Sequence, residues 1–372
     1  MKIGIISTLG NHCDWAGSEE TWRILADHAL DSGHAVSICC SERIAGSHQA
    51  EALRAKKAEF MTRKDLTGLT RRLAGKGLQS RFKRFLNQPL DVVFVSQGGI
   101  ADTIWIPDLL RSLEETNIPK VAFVQANAEG LVTLEWERQA LRKYYSGFKT
   151  VIFLSRHNYG LAERQMAWKF PNARIIMNPL RDPVDNPLDW PPEEVFHFAE
   201  VGRLEVADKQ QDHLLEALSG EAWKDRPWNL TFYGSGDDKA HIEALIRHYG
   251  LTGKAQLGGY VSDFRDIWRN HHLHILPSRR EGMPLSIIES MACGRPALVT
   301  RAGGSPEIVE DGKSGFVCPG MHPEVLREAL ERAWSHRADW KAFGLNAHRQ
   351  IKGLLNPNWA GEITTVLTEA AK

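Results

Sequence analysis

The sequence predicts an α/β protein of two domains, each built on a parallel sheet. Short apolar runs alternate with longer segments of helical periodicity, which is typical of parallel sheets covered by helices on both faces. The alternation is interrupted once, where five prolines fall within residues 179–192, and this cluster predicts a linker. A length of 372 residues is sufficient for two such domains.

The first domain is predicted to cover residues 1–179. A polar loop, residues 8–18, follows the first strand and precedes a helix that ends near Gly33. The loop lacks the three-glycine dinucleotide fingerprint, so a nicotinamide or flavin site is not expected. The strands of this domain are predicted at residues 2–7, 35–40, 91–96, 120–125, 150–155 and 174–177.

The second domain is predicted to cover residues 194–356, after a proline-rich linker at 180–193. A final helix, residues 357–372, follows with Asn358 as its cap. Longer helices are expected at about 323–332 and 339–353. The strands of this domain are predicted at residues 195–201, 229–233, 255–261, 272–277, 296–300 and 315–318.

Two glutamates in the stretch RREGMPLSIIESMACGRP, residues 279–296, are candidate ligand-binding residues. Glu281 is expected on the loop at the carboxyl end of a strand, and Glu289 in the first turns of the helix that follows. Ligands of parallel sheets bind at that edge, and free N–H groups at a helix start favour a phosphate. Carboxylates accept hydrogen bonds from sugar hydroxyls, so the stretch suits a sugar joined to a diphosphate. The alternative is two exposed surface glutamates.

A pair of cations, Arg203 and Lys209, is predicted to bind the diphosphate. Arg203 ends a strand at the same sheet edge, and Lys209 opens the next helical region. A guanidinium and an ammonium can hold phosphate oxygens and stabilise the charge of a departing diphosphate. The sequence contains no Asp-x-Asp pair of the kind that holds a metal at such sites. The alternative is two ordinary exposed cations.

These motifs resemble a known enzyme family. The paired glutamates occur in EGMPLSIIESMACGRP and are followed by GGSPEIVEDGKSGFV, and they are preceded by VGRL with Lys209, FYGSG and LGGYV. Together they resemble the retaining nucleotide-sugar glycosyltransferases of family 4, which have the GT-B fold. The resemblance is close in the second half of the chain and general in the first. It implies two Rossmann-like domains facing a central cleft, with the last helix crossing back onto the first domain.

The resemblance also implies a reaction and a set of donor-binding residues. A sugar would pass from a nucleotide-diphospho-sugar, UDP-linked first and GDP-linked second, to an acceptor hydroxyl, without a metal or other cofactor. Glu289 would bind the ribose, and Glu281 the transferred sugar, with Arg203 and Lys209 completing the catalytic set. Gln210 stands where relatives often have glycine. The remaining donor-binding residues would be Gly17, Gly234, Tyr260, Val261, Gly282, Met283, Pro284 and Leu285. By their residue type alone, Gly234 and Gly236 would allow the backbone to come close to a ligand or to a neighbouring element.

The acceptor is expected to contact the first domain. Gln125 occupies the place where relatives often have a histidine, and an amide cannot accept a proton at neutral pH. A histidine-dependent mechanism is therefore not expected. Glu129 is a further candidate near this place. The residues expected to contact the acceptor are Asn11, His12, Asp14, Gln125 and Asn127.

Composition and charge indicate which classes of partner and which location to expect for the protein. The formal net charge is zero, so bulk attraction to nucleic acid is not expected. The chain begins with a strand-like run rather than a signal peptide, and no apolar run is long enough to span a bilayer. The five cysteines are scattered along the chain, which suggests that their thiols are reduced. We therefore expect a cytoplasmic protein, with any membrane contact peripheral.

A basic segment, residues 54–84, contains eleven Lys and Arg but only two acidic residues. Its apolar residues form an approximate helical stripe, so it could contact an anionic membrane surface or a phosphorylated or lipid-linked acceptor. The alternative is a solvated helix that packs on its domain. The stripe residues are Leu66, Leu69, Leu73, Leu78, Phe82 and Phe85.

Two other functions are compatible with the sequence. One is a sugar-nucleotide epimerase or hydrolase of similar fold, which needs no acceptor. The other is a non-catalytic two-domain sugar-binding protein. The identity of the acceptor, whether lipid-linked sugar, small molecule or protein, is left open by the sequence.

Overall fold

The computed structural model describes residues 1–10, 15–63 and 81–372. These residues form two compact units. Unit 1 consists of residues 1–179 and 356–372, and unit 2 consists of residues 180–355. Each unit is an α/β domain with one sheet whose strand pairings are all parallel. The predicted pair of Rossmann-like domains is therefore confirmed.

Unit 1 contains a seven-stranded sheet in the order β3-β2-β1-β4-β5-β6-β7. Strand β1 lies in the interior of the sheet and is buried along most of its length, which explains the continuous apolar run in the sequence. The chain leaves β1 towards β2 on one side and returns at β4 on the other, so the strand order reverses there. The strands are β1 Lys2–Ser7, β2 Ala35–Ser41, β3 Glu59–Arg63, β4 Val92–Gly99, β5 Lys120–Ala126, β6 Thr150–Phe153 and β7 Ala173–Ile175.

Helices cover this sheet, and the last helix of the chain is one of them. Trp359, at the start of that helix, lies edge-on to Phe123 of β5 with 6.1 Å between ring centroids. The C-terminal helix thus contributes to the core of unit 1. The helices of unit 1 are Gly17–Asp31, Glu42–Ala45, His48–Ala55, Arg81–Leu86, the 3-10 helix Asp102–Trp105, Pro107–Glu115, Glu135–Ser146, Arg156–Met166 and Trp359–Ala370.

Unit 2 contains a six-stranded sheet in the order β10-β9-β8-β11-β12-β13. Its strand order reverses between β8 and β11, and ligands of open α/β sheets bind outside the carboxyl ends of the strands at such a point. The strands are β8 Phe196–Val201, β9 Trp228–Tyr233, β10 Ala255–Gly259, β11 Leu273–Leu276, β12 Ala297–Thr300 and β13 Gly315–Cys318.

The helices of unit 2 bury an aromatic core against this sheet. Phe198 of β8 stacks on Trp228 of β9, with 5.9 Å between ring centroids. The helices are Val206–Lys209, Gln211–Leu218, Glu221–Lys224, Lys239–His248, Phe264–Trp268, Leu285–Ala292, Ser305–Ile308, Pro323–Ser335, the 3-10 helix Arg337–Asp339 and Trp340–Leu354.

The proline-rich segment, residues 180–193, contains no helix or strand and packs within unit 2. Arg295 holds it in place. This buried guanidinium donates to the carbonyl oxygens of Leu188 at 3.2 Å and Trp268 at 2.8 Å, and it lies over the ring of Trp190. The segment is therefore anchored along its second half rather than free.

The basic segment, residues 54–84, differs from its prediction. Residues Glu59–Arg63 form the edge strand β3 rather than part of a helix. Phe82 and Phe85 lie in the helix Arg81–Leu86, with both rings buried. Four stripe residues, Leu66, Leu69, Leu73 and Leu78, fall outside the described residues.

Two further observations concern the described residues. Their four cysteines, Cys39, Cys40, Cys293 and Cys318, are buried and unpaired. None of their helices has the length and hydropathy needed to cross a bilayer.

Candidate functional site

The carboxyl edge of the unit 2 sheet brings the predicted cations and Glu281 together. Arg203 follows β8, and Lys209 ends the short helix Val206–Lys209. Glu281 lies on the loop after β11, the strand adjacent to β8. All three residues therefore lie at the carboxyl edge of the sheet, where the sequence predicted a ligand site, and the strand order reverses at this point.

Lys209 and Glu281 form a direct ion pair, in which Lys209 Nζ donates to Glu281 Oε1. The two side chains are only 14% and 9% exposed. Charged groups this far from water require partners of opposite charge or hydrogen bonds. Each residue of the pair therefore neutralises the charge of the other.

Arg203 is surrounded by carboxylates. Its Nη1 lies 2.6 Å from Glu205 Oε2, and its Nη2 lies 3.7 Å from Asp208 Oδ2. Asp208 also accepts from Arg280 Nη2 at 2.6 Å. The guanidinium of Arg203 is thus oriented at the end of β8, with about a third of its side chain exposed to solvent.

Glu289 lies in the second turn of the helix Leu285–Ala292 and is almost completely buried. Arg181, from the proline-rich segment, places Nη2 3.6 Å from Glu289 Oε1. This arginine also lies over the ring of Phe264, 5.2 Å from its centroid. The cation beside Glu289 therefore comes from a segment for which the sequence predicted only a linker.

The loop that carries Glu281 is packed tightly against the loop after β12. Gly303 has φ +52°, and a Cβ on it would lie 2.3 Å from the carbonyl oxygen of Glu281. The N–H of Gly304 donates to the carbonyl of Gly282 at 2.6 Å. Only glycine fits at Gly303, so the motif GGSP holds the backbone at Glu281 and Gly282 in place.

The rest of this loop leads into the helix. Met283 is buried, Pro284 has an extended backbone and caps the helix, and Leu285 is its first residue. Gly294 has φ +76° just beyond the helix end, a left-handed conformation that favours glycine there. The helix start therefore lies immediately after Glu281 and Gly282, with Glu289 one turn further along.

Gly234 and Gly236 serve the contact between two loops. A Cβ on Gly234, which has φ +140°, would lie 1.9 Å from the carbonyl oxygen of Gly202. A Cβ on Gly236 would lie 2.3 Å from the carbonyl oxygen of Leu204. Of the two alternatives in the sequence, close approach to a neighbouring element is therefore the one observed, and it fixes the loop that bears Arg203.

Gln210 adopts a left-handed conformation, with φ +54°, between the helix of Lys209 and the next helix. This conformation favours glycine, which accounts for the glycine often found here in the resembled family. The Gln210 side chain is buried, and its Nε2 lies 3.0 Å from Nδ1 of His213.

Tyr260 and Val261 lie beyond the strand to which the sequence assigned them. The predicted strand 255–261 ends at Gly259, because Gly259 turns the chain with φ +70°. Tyr260 is 56% exposed as a result, while the partly buried Val261 packs against a small apolar cluster that contains Ala199 and Phe264. Tyr260 is thus a loop aromatic and not part of β10.

A buried carboxyl group that the sequence analysis overlooked lies beside the cations. Glu200, in β8, is fully buried, and burial raises its pKa to about 8. Lys209 lowers this pKa and Glu281 raises it, but both effects are smaller than that of burial. Among the described residues, Glu200 Oε2 has no hydrogen-bond partner.

The unit 1 residues predicted to bind the donor or the acceptor lie at the carboxyl edge of the unit 1 sheet, as far as the structure describes them. Gly17 is the first residue of the helix after β1. Gln125, at the end of β5, donates to Ser96 Oγ at 2.9 Å and to the carbonyl of Ser18 at 3.2 Å. Asn127 donates to Gln165 Oε1 at 2.8 Å. Asn11, His12 and Asp14 lie outside the described residues.

The family described as "Glycosyl transferases group 1" matches residues 196–336, which include β8–β13 and every residue of the cationic and glutamate cluster except Arg181. Residues 196–336 of this chain are therefore similar to the group 1 glycosyltransferases. Its resemblance to glycosyltransferases is confirmed by a match that is confined to unit 2.

Curated relatives match part of this chain. An exopolysaccharide phosphotransferase of Streptomyces coelicolor is 34% identical over 38% of this chain and 15% of its own length. A D-inositol 3-phosphate glycosyltransferase of Thermobifida fusca is 30% identical over 44% of this chain and 38% of its own. An alpha-D-kanosaminyltransferase of Streptomyces kanamyceticus is 28% identical over 36% and 34%. The matches thus cover less than two fifths of each relative.

Solved structures match the whole chain. Anabaena HepE in complex with UDP-glucose has a TM-score of 0.76, with 15% identity and coverage of 99% of this chain and 100% of that one. A glycosyltransferase from Rickettsia africae has a TM-score of 0.74, with 16% identity and coverage of 100% and 98%. At these identities the likeness concerns the fold alone, and it confirms the predicted GT-B fold class for this chain.

Proposed function

We propose that this protein is a retaining, metal-independent glycosyltransferase of family 4. It transfers a sugar from a nucleotide-diphospho-sugar, UDP-linked first and GDP-linked second, to an acceptor hydroxyl. The observation that carries the proposal is the convergence of Arg203, Lys209 and Glu281 on one sheet edge, with Glu289 in the adjoining helix.

Each residue type suits one part of the donor. Arg203 and Lys209 bind the diphosphate and stabilise the negative charge that it gains as its bond to the sugar breaks. Glu281 accepts hydrogen bonds from the transferred sugar, and Glu289 accepts them from the ribose. The N–H groups at the start of the helix Leu285–Ala292 add to the binding of phosphate.

Donor binding requires an exchange of partners. Lys209 and Glu281 neutralise each other when the site is without a donor. In the complex, Lys209 turns to the diphosphate and Glu281 to the sugar. Binding of the donor is therefore accompanied by separation of the positive charge of Lys209 from the negative charge of Glu281. Retention of configuration at the anomeric carbon is part of the proposal and rests on the resemblance of the paired-glutamate motif.

Unit 1 is proposed to bind the acceptor through Gln125 and Asn127 at the ends of its strands. We place the reaction in the assembly of a cell-surface polysaccharide or glycolipid on the inner face of the membrane. Relatives named for exopolysaccharide and inositol-phosphate substrates support an acceptor of polar, carbohydrate-like chemistry. Contact of residues 54–84 with an anionic membrane belongs to this proposal.

A panel of nucleotide sugars tests the proposal. Thermal unfolding is measured with UDP-, GDP- and ADP-glucose, with the free nucleotides, and with glucose alone. A rise in the melting temperature with one nucleotide series is expected, since a ligand that binds only the folded state stabilises it. A rise with free glucose and none with any nucleotide would contradict the proposal and favour a sugar-binding protein.

Product analysis tests the reaction. The native protein is incubated with the nucleotide sugar identified by the panel, with and without a mixture of simple glycosides as acceptors. Acceptor-dependent formation of an alpha-linked product from an alpha-linked donor is expected, as read from the anomeric proton coupling. Epimerised donor in the absence of acceptor, or free sugar as the sole product with every acceptor, would instead indicate an epimerase or a hydrolase.

A further inference from the structure

Glu200 occupies a position in which a carboxyl group is unexpected. It is the fifth residue of β8, a central strand of the unit 2 sheet, and it pairs in register with Phe232 of β9. Phe196 and Phe198, which share its face of the strand, belong to the aromatic core. Charged residues are almost never fully buried without a partner, so this carboxyl group requires an explanation.

The surroundings of Glu200 contain few polar groups. Gln211 Nε2 lies 3.5 Å from Glu200 Oε1, at the outer limit of a hydrogen bond, and it donates more closely to the carbonyl of Arg203 at 2.8 Å. Glu200 Oε2 has no partner among the residues that the structure describes. An ionised carboxylate would be strongly destabilised here, whereas an uncharged one is tolerated.

Glu200 lies against the same glycine as Lys209. A Cβ on Gly202 would lie 3.0 Å from Glu200 Oε1 and 3.4 Å from Lys209 Cε. The buried carboxyl group is therefore a neighbour of the cation that we assign to the diphosphate. The absence of a side chain at Gly202 leaves room for both.

The charged groups that act on Glu200 are few. Lys209, from the adjoining short helix, favours its ionised form, and Glu281, from the loop after β11, disfavours it. Gln211 is the polar residue of the following helix. His274 of β11 lies on the opposite face of the sheet, because it pairs in register with Ala199, and burial lowers its pKa to about 3, so it is uncharged.

We propose that Glu200 is a positioning residue whose uncharged form is required for donor binding. Uncharged Glu200 leaves the Lys209 ammonium available to the diphosphate. Ionised Glu200 attracts that ammonium and also repels the diphosphate, and both effects weaken the binding of the donor. Because the diphosphate disfavours ionisation of its neighbour, binding above neutral pH is accompanied by uptake of a proton at Glu200. This inference rests on the proposed function.

Calorimetric titration of UDP-glucose tests the inference, because the diphosphate of UDP-glucose does not titrate near neutral pH. Binding enthalpies are measured at pH 8.5 in buffers of different ionisation enthalpy, which gives the number of protons taken up. The native protein is expected to take up a fraction of one proton. Its Kd should rise between pH 7.5 and 9.5 by at most about tenfold per pH unit.

Variants assign the proton. Glu200→Gln keeps the shape of the side chain but removes its titratable charge. On binding UDP-glucose this variant should take up less than about a tenth of a proton, and its Kd should change by no more than about twofold between pH 7.5 and 9.5. Glu310→Gln, an exposed carboxyl group of unit 2, is the matched control and should behave as the native protein does. Equal proton uptake in the native protein and in Glu200→Gln would overturn the inference while leaving the proposed function intact.

Two other outcomes are decisive. If Glu200→Gln does not fold, the measurement on the native protein tests the inference by itself. Absence of proton uptake by the native protein at every pH between 7.5 and 9.5 would then overturn the inference. If the native protein binds none of UDP-, GDP- and ADP-glucose, the proposed function fails and this inference fails with it.

Discussion

Lys209 donates its ammonium to Oε1 of Glu281, and both side chains are shielded from water at the carboxyl edge of the unit 2 sheet. The pair connects the short helix Val206–Lys209, which follows β8, to the loop after β11, and β8 and β11 are adjacent strands. In the proposed reaction these two residues bind different parts of the donor. Their present partnership therefore competes with the donor, and a change in either residue should alter both binding and catalysis.

Removing the ammonium is expected to lower the rate of the chemical step. Lys209→Met should reduce kcat by about 100-fold, since the loss of one group that stabilises the developing charge typically costs 10²–10³-fold. The measurement is steady-state kinetics with saturating donor. Lys313→Met, which removes an exposed lysine of the same unit, is the control. Equal kcat for Lys209→Met and the native protein would contradict this role.

Removing the charge of Glu289 is expected to weaken donor binding more than the chemical step. Glu289→Gln should raise the KM for the donor about tenfold or more, because hydrogen bonds to a charged group are worth about 1.5–3 kcal/mol. The same change removes the carboxylate beside Arg181 Nη2, while Asp182 stays 3.8 Å from Arg181 Nε. A kcat that falls with KM unchanged would place Glu289 away from the ribose.

The glycine that supports the Glu281 loop should not tolerate a side chain. Gly303→Ala places a Cβ 2.3 Å from the carbonyl oxygen of Glu281 at φ +52°, so it should lower the free energy of unfolding by more than about 2 kcal/mol. Gly312→Ala is the matched control. It has φ +74° but no atom within 4 Å of the added Cβ, so it should cost only about 1 kcal/mol of backbone strain. Chemical denaturation measures both, and equal losses would show that the contact with Glu281 is unimportant.

Stability should depend on pH through Glu200. Burial raises the pKa of this carboxyl group from 4.5 to about 8, so between these values the folded state binds a proton that the unfolded state has lost. The stability contributed by this group is therefore present below pH 4.5 and is lost as the pH rises to about 8, by about 1.4 kcal/mol per pH unit at most.

The comparison that isolates this effect is denaturation of the native protein and of Glu200→Gln from pH 5 to pH 8.5. The variant should gain stability relative to the native protein as the pH rises, because its amide does not titrate. A constant difference between the two proteins across this range would show that Glu200 is ionised in the folded state.

The strands with continuous apolar runs could be predicted from the sequence to within three residues at each end. Strand β3 could not, because it lies at the edge of its sheet and only Arg63 of its five residues is buried. The end of β10 was also predicted too late. The apolar and aromatic character continues past Gly259, and only the backbone conformation of that glycine shows where the strand ends.

The candidate site was predicted in its local parts. Glu281 and Glu289 belong to one motif, and Arg203 and Lys209 to another, so sequence spacing was sufficient to place each pair. The contacts of Arg181 with Glu289 join segments far apart in the chain, and no local pattern indicates them. Glu200 carried a signal that was overlooked, since a glutamate inside the apolar run FHFAEV breaks the pattern of a buried strand.

The central claim is that Arg203 and Lys209 hold the diphosphate while Glu281 and Glu289 hold the sugars on either side of it. A crystal structure with the nucleotide sugar identified by the thermal panel, UDP-glucose first, tests this most directly. The account predicts that Lys209 Nζ leaves Glu281 and lies within hydrogen-bond distance of a diphosphate oxygen, with Glu289 at the ribose hydroxyls. A nucleotide bound elsewhere, with the Lys209–Glu281 pair intact, would contradict it.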